Sequence, residues 1–294
     1  MTSSGSRLTR RSFVGAVAGL GAAAATGTAL HGTASASTAA AAPAKVDRAV
    51  GLGLLGGAVH TLGRSAEGWV LVAADGTARA TTGLGGAEVN DMTTAPGGLV
   101  AVGATSDGAR SVPSVWESVD GLAWRRTSEL TGLDGHLTVV GSYGSAALAV
   151  GASLTLERAP RQRIVVRRDA AGWALVPTTG LAYTDQWTAS AVAGGADGWT
   201  VSTVDASGSS VATSPDGLDW TPSAQLVDVA VRSLATTGAG IRWVGNAMGG
   251  SGAVTGVVGA DRRPVPVPQE AQALGTVGDR SYWLVDGRIV SATV

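Results

Sequence analysis

Short apolar runs alternate along the chain with clusters of turn residues. They are "VHTLGR" near Gly63, "LVAVGA" at Gly103, "LAVGAS" at Gly151, "WTVSTV" at Ser202, "RWVGNA" at Gly245 and "YWLVDG" at Asp286. These six markers are separated by 40, 48, 51, 43 and 41 residues. Apolar runs this short, bounded by Gly, Pro and Asp, fit strands and not helices. Residues 88–130 show one whole unit. Val89, Met92 and Thr94 fall in a first strand, 99–104 form a second, 112–118 a third and 122–127 a fourth. Pro96-Gly97-Gly98, Asp107-Gly108 and Asp120-Gly121 separate them. Asp-Gly between apolar runs is a hairpin signal in which both central residues take positive φ.

A second marker runs with the same period. Asp75, Asp120, Asp169, Asp216 and Asp261 lie 45, 49, 47 and 45 residues apart, and Trp124, Trp173 and Trp220 each follow the middle three by four positions. Two independent series with one period define a repeat of four short antiparallel strands, which is a propeller blade. The expected fold is all-β, a β-propeller preceded by a cleavable signal segment. Six four-stranded blades fill residues 45–294, with five or seven as the alternative counts. The last unit has only "RIVSATV" after its second marker, so "KVDRAV" at 45–50 is expected to supply its missing outer strand and cover the open edge.

The strings "SVDGLAW" (118–124) and "SPDGLDW" (214–220) share Ser-x-Asp-Gly-Leu-x-Trp. This resembles the Asp-box, the bacterial neuraminidase repeat Ser-x-Asp-x-Gly-x-x-Trp, with Asp and Gly brought together. The resemblance implies a sialidase-like propeller in which Ser118, Asp120, Gly121 and Trp124, and Ser214, Asp216, Gly217 and Trp220, shape the turn between third and fourth strands. Asp169 and Trp173 are a degraded copy. Elementary chemistry points the same way. An Asp before Gly accepts nearby backbone N–H groups, the Ser hydroxyl adds another bond, and the Trp covers the hairpin. The motif therefore reads as structural. Catalysis in the sialidases implies an arginine triad, a Tyr–Glu pair and a Phe/Tyr-Arg-Ile-Pro motif. That tetrapeptide does not occur here, and "RQRIV" around Arg163 lacks the proline.

The N-terminus carries an address. "TRRSFVG" at 9–15 resembles the twin-arginine export signal, with Arg10, Arg11 and Phe13 in place, and an Ala/Gly-rich uncharged stretch follows. Residues 1–44 are read as signal and Ala-rich linker. Cleavage after Ala36 or after Ala44 satisfies the small-x-small rule. Removal to Ala36 takes away Arg7, Arg10 and Arg11, leaving 18 basic against 22 acidic residues. The expected mature protein is a mildly acidic secreted chain, not embedded in a membrane, handled during export by the twin-arginine translocase and a signal peptidase. The bias for Arg over Lys points to a GC-rich genome such as an actinobacterium's.

The chain has no cysteine, which removes disulfides, thiolate metal sites and a cysteine nucleophile. No basic stripe marks a nucleic-acid partner, and no pattern calls for a cofactor or a metal. Five arginines in 158–168 read as the solvated face of a strand, with an anionic ligand as the alternative. "GLGLLGG" at 51–57 reads as turn glycines ahead of a strand. The functional expectation is a non-enzymatic binding propeller for an extracellular protein or glycan. A degenerate glycoside hydrolase and an assembly factor resembling the photosystem-assembly propellers are the alternatives.

Overall fold

A computed structural model describes residues 46–293, apart from 154–162, 182–187, 238–239, 250–251, 260–262, 265–270, 278–279 and 286–287. The export signal (Arg10, Arg11, Phe13), Asp261 and Asp286 lie outside the described residues.

Six antiparallel sheets follow one another along the chain. Blade 1 is β1 (Arg48–Leu55), β2 (Ala58–Ser65), β3 (Gly68–Ala73) and β4 (Ala78–Ala80). Blade 2 is β5 (Ala87–Ala95), β6 (Gly98–Ser106), β7 (Ser111–Ser118) and β8 (Arg125–Glu129). Blade 3 is β9 (Gly135–Tyr143), β10 (Ala146–Ser153), β11 (Arg163–Asp169) and β12 (Gly172–Leu175). Blade 4 is β13 (Thr188–Gly195), β14 (Gly198–Asp205), β15 (Gly208–Ser214) and β16 (Thr221–Val227). Blade 5 is β17 (Val229–Thr237), β18 (Gly240–Ala247), β19 (Ala253–Val257) and β20 (Arg263–Pro264). Blade 6 is β21 (Gln272–Val277), β22 (Arg280–Val285) and β23 (Arg288–Thr293). The first strand of each blade touches the first strand of the next, and β21 touches β1, which closes a six-bladed β-propeller.

The core is six wedges, each between two blades. One joins Leu62, Trp69 and Leu71 of blade 1 to Val89, Leu99 and Trp116 of blade 2. Another joins Leu148 and Val165 of blade 3 to Val192, Trp199 and Val201 of blade 4. A sheet covered on both faces has no polar side, which is why β6 reads as a continuous apolar run with Leu99 to Ala104 all buried.

The second-strand glycines have a specific cause. Every inner strand breaks register with its second strand, skipping Asn90 in β5, Thr138 in β9, Ser190 in β13, Arg232 in β17 and Leu274 in β21. In β1 the break falls between Val50 and Gly53. Next to it the strands come very close. A Cβ on Gly103 would lie 1.8 Å from the Glu88 carbonyl oxygen, on Gly151 2.0 Å from that of His136, and on Gly245 2.4 Å from that of Ala230. Only glycine permits that approach. The equivalent residues in blades 1, 4 and 6, by pairing, are Leu62, Thr203 and Trp283. The markers at Gly63, Ser202 and Asp286 are therefore out of step with the others.

Three expectations are corrected. Residues 48–50 do not complete the last blade. They begin β1, the inner strand of blade 1, where Ala49 and Val50 are buried. Outer strands such as β8 are largely exposed and have no use for such residues. Blade 6 has three strands among the described residues. The ring closes side by side: Gln272 Nε2 donates to the Ala49 carbonyl (2.8 Å), and Leu52, Val59, Leu274 and Ile289 pack together. Secondly, the Asp-Gly turns do not put both residues at positive φ. Gly121 (73°) and Gly108 (94°) are there, but the only described non-glycine is Asp228. Thirdly, Gly51–Leu55 is not a loop before a strand but part of β1, with Gly56 and Gly57 as its turn.

Candidate functional site

The six inner strands surround an axial cavity of about 230 Å³. Its wall is mixed: Leu52, Leu54, Leu234 and Leu274 are apolar, and Thr93, Thr94 and Thr276 bring hydroxyls. Among the described lining residues Asp91 is the one carboxylate and Arg232 the one guanidinium. Arg232 occupies the skipped position of β17 and is exposed.

Asp91 stands immediately after the register break of β5. Its Oδ1 accepts the Met92 N–H (2.8 Å) and its Oδ2 the Val140 N–H of blade 3 (2.9 Å). Its neighbour Asn90 accepts from Arg48 of blade 1 (3.1 Å) and donates to the Leu137 carbonyl of blade 3 (2.8 Å). Leu54 N–H donates to Thr94 Oγ1 (2.7 Å), and Ser142 Oγ donates to the Thr94 carbonyl. β5 is thus pinned by polar bonds to both flanking blades, and Asp91 borders the cavity.

Burial pushes the Asp91 carboxyl up to about 7, against the pull of the Val140 and Met92 N–H groups. In the unfolded chain it ionises near 3.8. Between these values the folded protein holds a proton that the unfolded chain has lost. Stability should therefore fall as pH rises from about 4 to about 7, by at most ~1.4 kcal/mol per pH unit, and this group adds no further slope above that. Asp91→Asn loses one acceptor and starts from a lower stability, but its melting temperature should lack this decline. Thermal melts of both proteins from pH 4 to 8 check the point, and parallel profiles would refute it.

The repeated Asp turns lie elsewhere, between third and fourth strands. Asp120 Oδ1 accepts Leu122 N–H (2.8 Å), Ala123 N–H (2.9 Å) and the Ser118 hydroxyl (3.0 Å), while Ser118 Oγ accepts Gly121 N–H (2.9 Å). Asp216 repeats this with Leu218 N–H (2.9 Å), Asp219 N–H (3.3 Å) and Ser214 (3.0 Å), and Ser214 Oγ accepts Gly217 N–H (2.9 Å). These donors hold Asp120 below its ordinary pKa, Ala123 N–H first, and Asp216 likewise, Leu218 N–H first. Their contribution has the opposite sign to Asp91's: present above about 3.8 and lost as pH falls through the lowered folded value. Because Asp120 captures the amides of 122 and 123, β8 starts at Arg125, three residues later than its sequence indicates.

Trp124 and Trp220 are buried between blades. Trp124 Nε1 donates to the Gly121 carbonyl (2.9 Å), whereas Trp220 Nε1 is buried without a partner. Asp169 holds only Ala171 N–H (2.8 Å). Trp173 instead donates to Glu117 Oε1 of blade 2 (2.9 Å), which also pairs with Arg168 (3.1 Å). Arg167 donates to the Asp216 carbonyl of blade 4 (3.1 Å). Two arginines of the 158–168 cluster therefore tie blade 3 to its neighbours. Arg158 and Arg161 lie outside the described residues.

One element escaped the sequence reading. Thr82 N–H donates to the Leu122 carbonyl (2.7 Å) and Trp124 N–H to the Thr82 carbonyl (3.0 Å), so the exit of blade 1 is stitched to the turn of blade 2. Thr179 does the same with Leu218 (2.9 Å) and Trp220 (3.0 Å) across blades 3 and 4. The signal was present as Thr-Gly-Leu at 82–84, 131–133 and 179–181. Gly83 and Gly180 sit against the Trp124 and Trp220 carbonyls, while Gly132, next to the blade with the degraded turn, faces open space.

No protein-family model matches the sequence, and comparison with curated proteins finds no match. Several solved structures are similar to the chain. "YCF48 bound to D1 peptide" is 15% identical with a TM-score of 0.46, covering 71% of this chain and 67% of that one. A putative glycosidase from Bacteroides thetaiotaomicron is 14% identical with a TM-score of 0.41, covering 82% and 84%. The β-propeller domain of the Trilobed protease from Pyrococcus furiosus is 9% identical, with a TM-score of 0.41, covering 82% and 91%. At such identities the likeness concerns the fold alone.

Proposed function

We propose that the chain is exported through the twin-arginine pathway and acts outside the cell as a non-enzymatic propeller that binds a protein or glycan partner in its axial cavity. The observation that carries this reading is the cavity wall. Cleavage of a glycosidic bond calls for two carboxyl groups flanking it, and the described lining offers Asp91, already bound by two backbone amides. A cavity of about 230 Å³ is small beside the usual ligand pockets of ~300–1,000 Å³. It suits one sugar ring or one or two side chains of a larger partner. The raised Asp91 carboxyl favours a second reading, since a general acid needs its proton near neutral pH.

One experiment separates the two. The protein is collected from culture medium, with Arg10→Lys/Arg11→Lys as the export control that should stay in the cell. Glycan-array binding and sugar release from sialylated and polysaccharide substrates are then measured on wild type, Asp91→Asn and the cavity-filling Leu234→Trp. Binding that Leu234→Trp abolishes without any sugar release is the expected result. Sugar release lost in Asp91→Asn would make the protein a glycoside hydrolase. Secretion of the double-Lys form would overturn the export reading.

A further inference from the structure

We propose that the axial cavity carries an oxyanion subsite on the side formed by blades 4, 5 and 6, where the backbone N–H groups of Val192, Leu234 and Thr276 receive a sulfate or phosphate group. The proposal deepens the reading above and rests on the axial cavity being the binding site.

The donors follow from the register. The inner strand of each blade is an edge strand, so alternate residues turn their N–H and C=O away from their own sheet. Leu54, Met92, Val140, Val192, Leu234 and Thr276 are each the second paired residue after the register break of their strand, one from every blade. All six line the cavity. In blades 1 to 3 their N–H groups are already taken. Leu54 N–H donates to Thr94 Oγ1, and Met92 and Val140 N–H donate to the two oxygens of Asp91. These bonds show that the N–H at this position is directed away from the second strand. The same pairing directs Val192, Leu234 and Thr276 N–H likewise, and no side chain among the described residues accepts from them. A separate contact agrees for blade 4. A Cβ on Gly141 of blade 3 would lie 2.6 Å from the Val192 carbonyl oxygen, so the polar edge of that residue turns away from β14.

Converging N–H groups at a sheet edge make an anion-binding concavity. The charges are arranged to match. Arg232, the one guanidinium among the described lining residues, stands two residues before Leu234, with Ser233 between them. Asp91, the one carboxylate among them, belongs to blade 2, which lies opposite blade 5 in a ring of six. With its pKa pushed up to about 7, Asp91 is neutral in mildly acidic solution and does not repel an anion there. Thr276 Oγ1 is a further donor on this wall, buried without a partner. Three N–H groups from three adjacent strands approach the axis from different directions. A tetrahedral oxyanion offers oxygens in as many directions, whereas a carboxylate offers two in one plane.

Sulfate stabilises folded chains generally through its exclusion from their surface, so the test reads single amides. The full chain, labelled with nitrogen-15, is titrated with sodium sulfate at pH 6, against sodium chloride at equal ionic strength. Saturable shifts of the Val192, Leu234 and Thr276 amide signals, absent with chloride, are the expected result. Leu234→Trp should abolish the shifts of the other two. Arg232→Gln, a change at an exposed position, should weaken sulfate binding at least ~10-fold, the loss of one hydrogen bond to a charged group. No saturable shift at these amides, an equal response to chloride, or unchanged affinity in Arg232→Gln overturns the proposal. The source of the group is read by repeating the titration with N-acetylglucosamine 6-sulfate and with the unsulfated sugar. Tighter binding of the sulfated sugar than of sulfate identifies an ester on a glycan partner, and equal affinity identifies the free ion; both support the subsite. The unsulfated sugar moving these amides while sulfate moves none rejects the subsite and leaves the cavity as a binding site. Partner binding that survives Leu234→Trp, with sulfate binding lost, supports the subsite and refutes the cavity as the partner's site.

Discussion

Trp124→Ala is expected to lower the unfolding free energy by ~3–5 kcal/mol, the usual cost of deleting a buried aromatic side chain. Trp124 is 5% exposed and packs with Leu71, Leu84 and Trp116 across the wedge between blades 1 and 2. It has no neighbour able to collapse into its place, because both flanking sheets are fixed by their own ladders. Trp220→Ala should cost a comparable amount, the ring being 4% exposed in the equivalent wedge of blades 3 and 4. Phenylalanine separates the two sites. Trp124→Phe loses the hydrogen bond to the Gly121 carbonyl and leaves that acceptor bare. Trp220→Phe removes an indole N–H that is buried without a partner, so it should be the milder change by ~1 kcal/mol. Denaturant unfolding of the four variants reads these differences. Equal losses for the two phenylalanine variants would show that the indole hydrogen bond contributes nothing.

Gly83→Ala and Gly180→Ala should be nearly as damaging, although each adds a single methyl group. Both residues have positive φ (83° and 75°), and an added Cβ would lie 1.8 Å from the Trp124 carbonyl oxygen and 1.9 Å from that of Trp220. The left-handed conformation costs an alanine ~1–2 kcal/mol. Relieving the overlap means parting the chain from the turn, which breaks two backbone hydrogen bonds per site worth ~1 kcal/mol each. The sum is ~3–4 kcal/mol. Gly132→Ala is the control. Its φ is 92°, but no atom lies within 4 Å of the added Cβ, so only the conformational cost applies. Three equal losses would show that the Thr-Gly-Leu stitch between blades carries no energy. Combining Gly83→Ala with Trp124→Ala should cost less than the two losses added together, because both variants open the same contact.

What the sequence by itself determined is local. The Asp turns are legible because their hydrogen bonds run from Asp120 to residues two and three positions ahead, within reach of the chain whatever surrounds them. Second strands such as β6 are legible because burial on both faces makes them apolar throughout, and the period is legible because every blade repeats the same solution. The Thr-Gly-Leu stitch was written just as plainly at 82–84, 131–133 and 179–181. Its meaning needed the partner strand some forty residues away.

Tertiary structure decided everything that depends on ring closure. Whether 48–50 serve as an inner or an outer strand turns on which neighbours cover Ala49 and Val50, and those neighbours include Gln272 from the far end of the chain. Arg167 and Arg168 look free along the sequence and are held by the Asp216 backbone carbonyl and the Glu117 carboxylate. Asp91 is one acid among 22 and carries no local signature. It becomes distinctive only when six inner strands converge and the fold strips water from its carboxylate, leaving two amides and a cavity around it. Turn chemistry acts over a few bonds and is carried by neighbouring letters. Desolvation depends on the density of protein from every direction, which no stretch of the chain contains by itself.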